Sequence, residues 1–234
     1  MVQHSIQDNL RRVEERIAAA AQRAGRRVEE ITLIGISKTH PAAAIREAYG
    51  AGLRHFGENR VQEWEAKQGE LGDLNATFHL VGHLQSNKAA RATKLFQSVD
   101  SVDDWPLAQR LNRARDEMKA EDKLRVLIEV HIAREAAKSG VAIEELPALA
   151  EKIVALDRLE LAGLMCVPPF AENVEQTRPY FQKLLGLRDD LEKRHGRKLA
   201  VLSMGMSHDF EVAIEEGATE IRVGTAIFGQ RDTK

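Results

Sequence analysis

The sequence has a single cysteine, Cys166, so no internal disulfide can form. Such a chain suits a reducing compartment, and we expect a cytoplasmic protein. No apolar stretch approaches the roughly 20 residues that a membrane-spanning helix requires. Residues 1–8 also lack the apolar centre of a secretion signal. We therefore expect neither a membrane anchor nor export.

Neither sign of charge is in clear excess, because 34 lysine and arginine residues face 36 aspartate and glutamate residues. Domains that bind nucleic acid usually carry a basic excess. The composition therefore argues against a general nucleic-acid binder, while a local cationic pocket remains possible. Hydrophobic residues make up 43% of the 234, which is enough for a sizeable core.

Linkers rich in proline, glycine or serine are absent, as are low-complexity tracts and internal repeats, which favours one domain over residues 1–234. Short apolar runs alternate with longer amphipathic segments, a pattern typical of α/β proteins with parallel sheets. The predicted strands are 31–37, 54–58, 77–82, 96–100, 124–131, 159–166, 199–203 and 220–224. The predicted helices between them are 41–50, 60–68, 85–94, 104–120, 144–156, 173–195 and 207–216.

An additional helix is predicted near the N-terminus, at about residues 8–24. Leu10, Val13 and Ile17 lie at helical spacing there, and Gly25 ends the segment. Eight strands in a chain of this length fit a single closed (β/α)8 TIM barrel, which takes about 250 residues. The competing open sheet normally carries a G-x-G-x-x-G turn after its first strand, and this sequence has none there.

Lys38 follows the first predicted strand, and Pro41 closes that segment. In barrels of this type, sites are built at the carboxyl ends of the strands. A lysine with apolar neighbours loses part of its preference for the charged form. The neutral amine is the nucleophile that forms a Schiff base with a carbonyl compound. Taken alone, Lys38 could equally be a side chain that extends to solvent from a strand end.

The ends of the last two predicted strands carry the residues of an anion site. Gly205 and Ser207 follow strand seven, and Gly224 and Thr225 follow strand eight. Loops seven and eight often bind phosphate in these barrels, because glycine allows the backbone to approach an anion. Ser207 is also a plausible helix N-cap. Asp209 would repel a phosphate unless its side chain points away.

Strand alternation places Arg222 inside the barrel near this end, because Ile221 and Val223 would face the outer helices. A buried arginine needs an acceptor. That acceptor could be a ligand or a carboxylate, and Glu129, which faces inward by the same alternation, could pair with an arginine or contact a ligand. His131 faces inward as well.

Other polar residues near the strand ends have more ordinary interpretations. Glu58 and Asn59 would reach the open end of the barrel after strand two. His79 and His83 lack metal-binding spacing, so core or supporting histidines are expected. Cys166 is expected to be a small buried strand residue, since no base is paired with it in the sequence.

Together, these segments resemble the pyridoxal phosphate homeostasis proteins. The resemblance covers nearly the whole chain in order, and the combination of motifs is highly specific. The matching segments are Ser37–Thr39, Phe56–Glu63, Leu84–Lys88, Lys138–Gly140, Gly163–Met165, Ser203–Ser207 and Arg222–Gly229. This sequence departs from the family pattern at His131, where asparagine is common, and at His208.

The resemblance implies a barrel like the N-terminal domain of alanine racemase, with pyridoxal 5′-phosphate bound as a covalent aldimine on Lys38. It also implies that Arg222 faces the pyridine nitrogen and that Asn59 lies beside the ring. Lys138 matches a family lysine suspected of taking part in cofactor transfer. The residues implied to hold the phosphate are Ser203, Gly205, Ser207, Gly224 and Thr225.

Two functions remain open at this stage, a carrier that stores, buffers or delivers the cofactor and an amino-acid racemase. An arginine against the pyridine nitrogen weakens the ring as an electron sink. Racemisation also needs a base on each face of the substrate carbon. The two tyrosines that could supply the second base, Tyr49 and Tyr180, lie in predicted helices away from strand ends. We expect a monomeric, non-catalytic carrier, with cofactor-dependent apo-enzymes as possible recipients. A lysine-based aldolase would leave the anion site and Arg222 without a role.

Overall fold

Eight parallel strands close into a barrel in sequence order in the computed structural model, which describes residues 5–133 and 139–229. This confirms the predicted (β/α)8 fold. The strands are β1 Thr32–Ile36, β2 His55–Glu58, β3 Thr77–Leu80, β4 Ser98–Val102, β5 Leu124–Val130, β6 Leu159–Cys166, β7 Val201–Met206 and β8 Glu220–Val223. The helices are α1 Ile6–Arg23, α2 Ala42–Gly50, α3 Val61–Lys67, α4 Ala89–Leu95, α5 Trp105–Glu117, α6 Leu146–Val154, α7 Arg178–His195, α8 Phe210–Glu215 and α9 Thr225–Phe228.

Helix α1 is the additional N-terminal helix. Its first turn is capped by Ser5, whose hydroxyl accepts a hydrogen bond from the Asp8 backbone N–H at 3.0 Å. Its buried stripe includes the residues that the spacing predicted. Ion pairs from Arg16 to Glu211 at 2.7 Å and from Arg23 to Glu215 at 2.8 Å join α1 to α8. Helix α1 therefore braces the short helix that follows β7.

The alternation of side chains along β8 is as predicted. Ile221 and Val223 belong to the apolar core between the sheet and the helices. Arg222 lies on the opposite face of the strand, inside the barrel, and is 4% exposed. The parallel register aligns Ile34 of β1 with Arg222. The residues that follow these two strands consequently meet at one end of the barrel, which we call the mouth.

Several predicted boundaries were wrong near this end. Strand β7 runs on to Met206 instead of stopping at residue 203, and β4 is shifted to Ser98–Val102. Ser207 does not cap the next helix, because Asp209 occupies the N-cap position and α8 begins at Phe210.

Within residues 5–133 and 139–229, no helix combines the length and apolar character needed to cross a bilayer.

Candidate functional site

Lys38 lies at the mouth, two residues beyond the end of β1. Ser37 is fully buried and Lys38 is half-buried, so the lysine leaves the barrel wall at the edge of the interior. Ile36 is 9% exposed and supplies apolar surface just below. The chain then turns, with the His40 N–H donating to the Ser37 carbonyl at 3.1 Å. The predicted strand-end position of Lys38 is therefore confirmed.

Arg222 is a buried cation held by neutral acceptors. Its Nη1 donates to the Ser203 hydroxyl at 2.7 Å, and its Nη2 donates to the Cys166 carbonyl at 2.7 Å. Within the described ranges, no carboxylate oxygen lies within 4.0 Å of the guanidinium. A guanidinium has five N–H donors, so these two hydrogen bonds leave donors for a further acceptor.

Glu129 is not the ion-pair partner of Arg222. Its Oε1 accepts a hydrogen bond from the Ser139 hydroxyl at 2.8 Å, and its Oε2 is buried with no partner among the residues described. Burial raises the pKa of this carboxyl above its ordinary value, with the nearby Asp103 acting in the same direction. Glu129 therefore lines the barrel interior, and its Oε2 is left without a hydrogen-bond donor among the residues described.

The loops after β7 and β8 are tied together by Ser207. Its hydroxyl accepts hydrogen bonds from the backbone N–H groups of Gly224 at 3.1 Å and Ala226 at 3.4 Å. Thr225 is exposed at the start of α9, and Gly224 is half-buried. Three of the five predicted phosphate residues are thus brought together at one rim of the mouth.

The other two predicted phosphate residues lie deeper. Ser203 is fully buried and its hydroxyl contacts Arg222, so it orients the guanidinium. Gly205 has φ of +91°, and a Cβ there would lie 2.6 Å from the Ala213 Cβ and 2.9 Å from the Phe210 Cα. Glycine at 205 therefore permits β7 to pack directly against α8.

Asp209 is buried and turned into its own loop. Its Oδ1 accepts a hydrogen bond from the Met206 N–H at 2.7 Å. Burial raises the pKa of the Asp209 carboxyl, which opposes the charged form. The repulsion that the sequence suggested between Asp209 and an anion is therefore reduced by this geometry.

Asn59 and Glu58 diverge at the end of β2. Asn59 is half-buried at the mouth, packed so closely against Gly82 that a Cβ there would lie 2.4 Å from the Asn59 carbonyl oxygen. Glu58 was wrongly predicted at the mouth. It is fully buried behind the sheet, where it accepts hydrogen bonds from the Ser37 hydroxyl and from Lys67 Nζ, both at 2.7 Å.

Sequence reasoning missed Lys67 altogether. It stands at the end of α3, and no motif in the sequence marks it. Its Nζ also donates to the backbone carbonyls of Ser37 and His40, each at 3.2 Å. It therefore contacts both ends of the turn that carries Lys38.

His79 is buried in the interior below the mouth, with its Nδ1 3.0 Å from Asp100, so it is a core histidine as expected. His79, Asp100 and Glu220 lie close enough to share an ion. The Arg125 guanidinium, 2.5 Å from Glu220 Oε1, already supplies a positive charge there.

Cys166 is fully buried at the end of β6, which confirms its interpretation as a strand residue. Burial raises the pKa of its thiol to about 12, so the reactive thiolate is strongly disfavoured. Lys138 lies outside the described residues.

The chain matches the family model "Alanine racemase, N-terminal domain" over residues 8–232. A pyridoxal phosphate homeostasis protein of Pseudomonas aeruginosa is 48% identical over 229 residues, covering 97% of this chain and 96% of the relative. One of Aquifex aeolicus is 46% identical over 225 residues, covering 96% and 97%.

Solved structures resemble the chain as well. PipY of Synechococcus elongatus PCC7942, solved with PLP bound, superposes with a TM-score of 0.81 at 41% identity and covers 93% of this chain and 100% of its own. An alanine racemase of Clostridium difficile 630 has a TM-score of 0.73 at 16% identity, covering 97% of this chain and 58% of its own, a likeness of fold alone. The chain belongs to the pyridoxal phosphate homeostasis protein family, built on the alanine racemase N-terminal domain fold.

Proposed function

We propose that this protein binds pyridoxal 5′-phosphate covalently through Lys38 and stores, buffers or delivers it without catalytic turnover of its own. The observation that carries the proposal is the placement of Lys38, Arg222 and the Ser207–Gly224 contact around one mouth. In addition, this chain is 41% identical to PipY, which was solved with PLP bound.

The donor set at the mouth fits the chemistry of this cofactor. The Arg222 guanidinium has unused N–H donors, so it can donate to an unprotonated pyridine nitrogen and disfavour protonation of that nitrogen. Ser207, Gly224 and Thr225 offer hydroxyl and backbone groups for a phosphate, while Ser203 and Gly205 hold Arg222 and β7 in place. Asn59 would lie beside the ring.

The covalent step uses the Lys38 amine as the nucleophile. The amine first loses a proton to solvent, and its lone pair then forms the N–C bond with the aldehyde carbon. The amine nitrogen would give up its two protons to the displaced oxygen, which departs as water, so the link would be reversible by hydrolysis or by exchange with another amine. Reversibility suits a protein that must later release its cargo.

A racemase would need a second base opposite Lys38. Tyr49 lies in α2, where its ring stacks with Arg54 at 4.1 Å, and Tyr180 lies in α7. Both tyrosines therefore lie in helices outside the barrel wall, which favours a carrier over an enzyme. We further propose one domain over residues 1–234, a monomer and a cytoplasmic location, with cofactor-dependent apo-enzymes as recipients.

The first test is borohydride reduction of the protein after incubation with pyridoxal 5′-phosphate, followed by peptide mapping. We expect one labelled lysine, Lys38, and no labelling in Lys38→Ala, whose fold is retained because this half-buried side chain packs little core. Lys94→Ala, at an exposed position of α4, is the matched control and should label normally.

Two outcomes would contradict the proposal. Undiminished labelling of Lys38→Ala would place the anchor on another lysine. Interconversion of alanine enantiomers by the loaded wild-type protein would contradict the non-catalytic assignment.

A further inference from the structure

The turn that carries Lys38 is strained. It runs from Ser37 to His40, and Thr39 has φ of +67°. Among the residues described, Thr39 and Lys119 are the only non-glycine residues at positive φ. A β-branched residue in this region is a genuine outlier and persists only where the surroundings enforce it.

Lys67 provides that enforcement. Its ammonium carries three donors, and its three described acceptors are the Ser37 carbonyl, the His40 carbonyl and Glu58 Oε1. The first two acceptors are the two ends of the turn. A single cation from α3 thus fixes both residues that flank the Lys38–Thr39 pair.

Glu58 in turn fixes Lys67. It is fully buried, and its Oε1 also accepts from the Ser37 hydroxyl at 2.7 Å. Burial raises the pKa of the Glu58 carboxyl, and Lys67 opposes that rise, so the pair is buried at a desolvation cost. Buried ion pairs contribute little net stability compared with apolar packing, and fixing one geometry is their better-supported use.

We propose that Lys67, held by Glu58, is a positioning residue that locks the Ser37–His40 turn so that the Lys38 amine projects towards the mouth. The inference rests on the proposed anchoring role of Lys38. Without Lys67, the turn can relax from its left-handed conformation and the amine leaves its reactive position. Phosphate binding, which depends on the loops after β7 and β8, stays intact.

The test separates covalent capture from non-covalent binding in Lys67→Met, with Lys94→Met as the control at an exposed helix position. Capture is followed as the growth of imine absorbance after mixing with pyridoxal 5′-phosphate. Non-covalent binding is measured as the Kd for pyridoxine 5′-phosphate, which has no aldehyde. We expect capture to slow by roughly tenfold or more, because misplacing a reacting group by about 1 Å can cost ~100-fold. The Kd should stay at the wild-type value.

A second variant keeps the test decisive if Lys67→Met does not fold. Glu58→Gln preserves shape and loosens Lys67 by removing its counter-charge, so we expect slower capture with an unchanged Kd. Thr39→Gly, which removes the left-handed penalty, should restore part of the rate when combined with Lys67→Met. A wild-type capture rate in the folded Lys67→Met or Glu58→Gln protein overturns the inference. Failure of the wild-type protein itself to capture the aldehyde would sink the proposed function instead.

Discussion

Arg222 is buried without a carboxylate partner among the residues that the structure describes. Its acceptors are a hydroxyl and a backbone carbonyl, neither of which neutralises a charge. Burying a charge without a compensating partner is costly. Such an arrangement is expected where a ligand completes the set of acceptors, and a ring nitrogen would do so.

We expect Arg222→Gln to change the absorption spectrum of the protein loaded with pyridoxal 5′-phosphate. The permanent positive charge of arginine discourages protonation of the ring nitrogen, and neutral glutamine removes that restraint. The visible band should shift and become pH-dependent. Loss of two buried hydrogen bonds should also lower the free energy of unfolding by about 1–3 kcal/mol.

The control for this prediction is Arg113→Gln, because Arg113 is 83% exposed on α5 in a pair with Glu117. Its loaded spectrum should match that of the wild-type protein. An unaltered spectrum in Arg222→Gln would show that Arg222 serves the structure of the barrel and does not contact the ring.

At the scale of elements, the site depends on how closely β7 packs against α8. Gly205 lies at this contact with positive φ and no room for a side chain. Helix α8 has six residues, and α1 holds it from outside through Arg16 and Arg23. A displacement of β7 would be passed to Ser207, and through it to the loop after β8.

Gly205→Ala should therefore be strongly destabilising. The new Cβ would collide with Ala213 and the Phe210 backbone, and alanine is strained at φ of +91°. Overpacking together with backbone strain predicts a loss of roughly 2–3 kcal/mol in the free energy of unfolding, measured by urea titration. Gly186→Ala, in α7 with nothing within 4 Å of the added carbon, should be neutral or slightly stabilising. Equal stability of the two variants would contradict this account.

The sequence pattern predicted the strands, and the face of the sheet on which a side chain lies, better than it predicted which side chains contact each other. Alternation placed Arg222 inside the barrel because β8 is regular and its neighbours Ile221 and Val223 are apolar. The end of β7 was predicted too early, since Gly205 reads locally as a turn residue, whereas tertiary packing keeps it in the strand. Ser207 has the local chemistry of an N-cap, but its hydroxyl instead accepts a hydrogen bond from the Gly224 N–H, 17 residues further along the chain.

The position of Glu58 shows the limit of local reasoning most clearly. Glu58 has the same parity as outward-facing Phe56, yet a carboxylate directed into a core is improbable without a partner. That partner, Lys67, comes from the following helix, and no local pattern signals the pairing. Contacts of this kind are set by how α3 lies on the sheet, which the sequence of either segment alone does not determine.

At the scale of the whole molecule, the barrel interior below the mouth is charged. Arg125 bridges Glu220 and Asp100, which lie on opposite sides of the barrel. His79 contacts Asp100, and His55 Nδ1 lies 3.1 Å from His79 Nε2. This network places charged groups in a barrel interior that is usually filled by apolar layers, and it makes the stability of the whole fold sensitive to pH.

His55 gives this sensitivity a definite direction. Burial lowers its pKa to about 4 from an ordinary 6.5, and the charges of His79 and Arg125 act in the same sense. Between these values the unfolded chain binds a proton that the folded chain does not. The stabilisation is therefore complete above about pH 6.5 and is lost as the pH falls towards 4.

We expect the wild-type protein to lose more stability than His55→Gln between about pH 7 and about pH 5, by on the order of 1 kcal/mol after allowance for partial exposure. Burial raises the pKa of Glu58 and Glu129, which favours folding at low pH, so the relevant quantity is the difference between variants. Urea titrations at both pH values measure it. If His55→Gln loses as much stability as the wild-type protein, protonation of His55 is not coupled to unfolding, and the pH dependence of the barrel originates elsewhere in the charged interior.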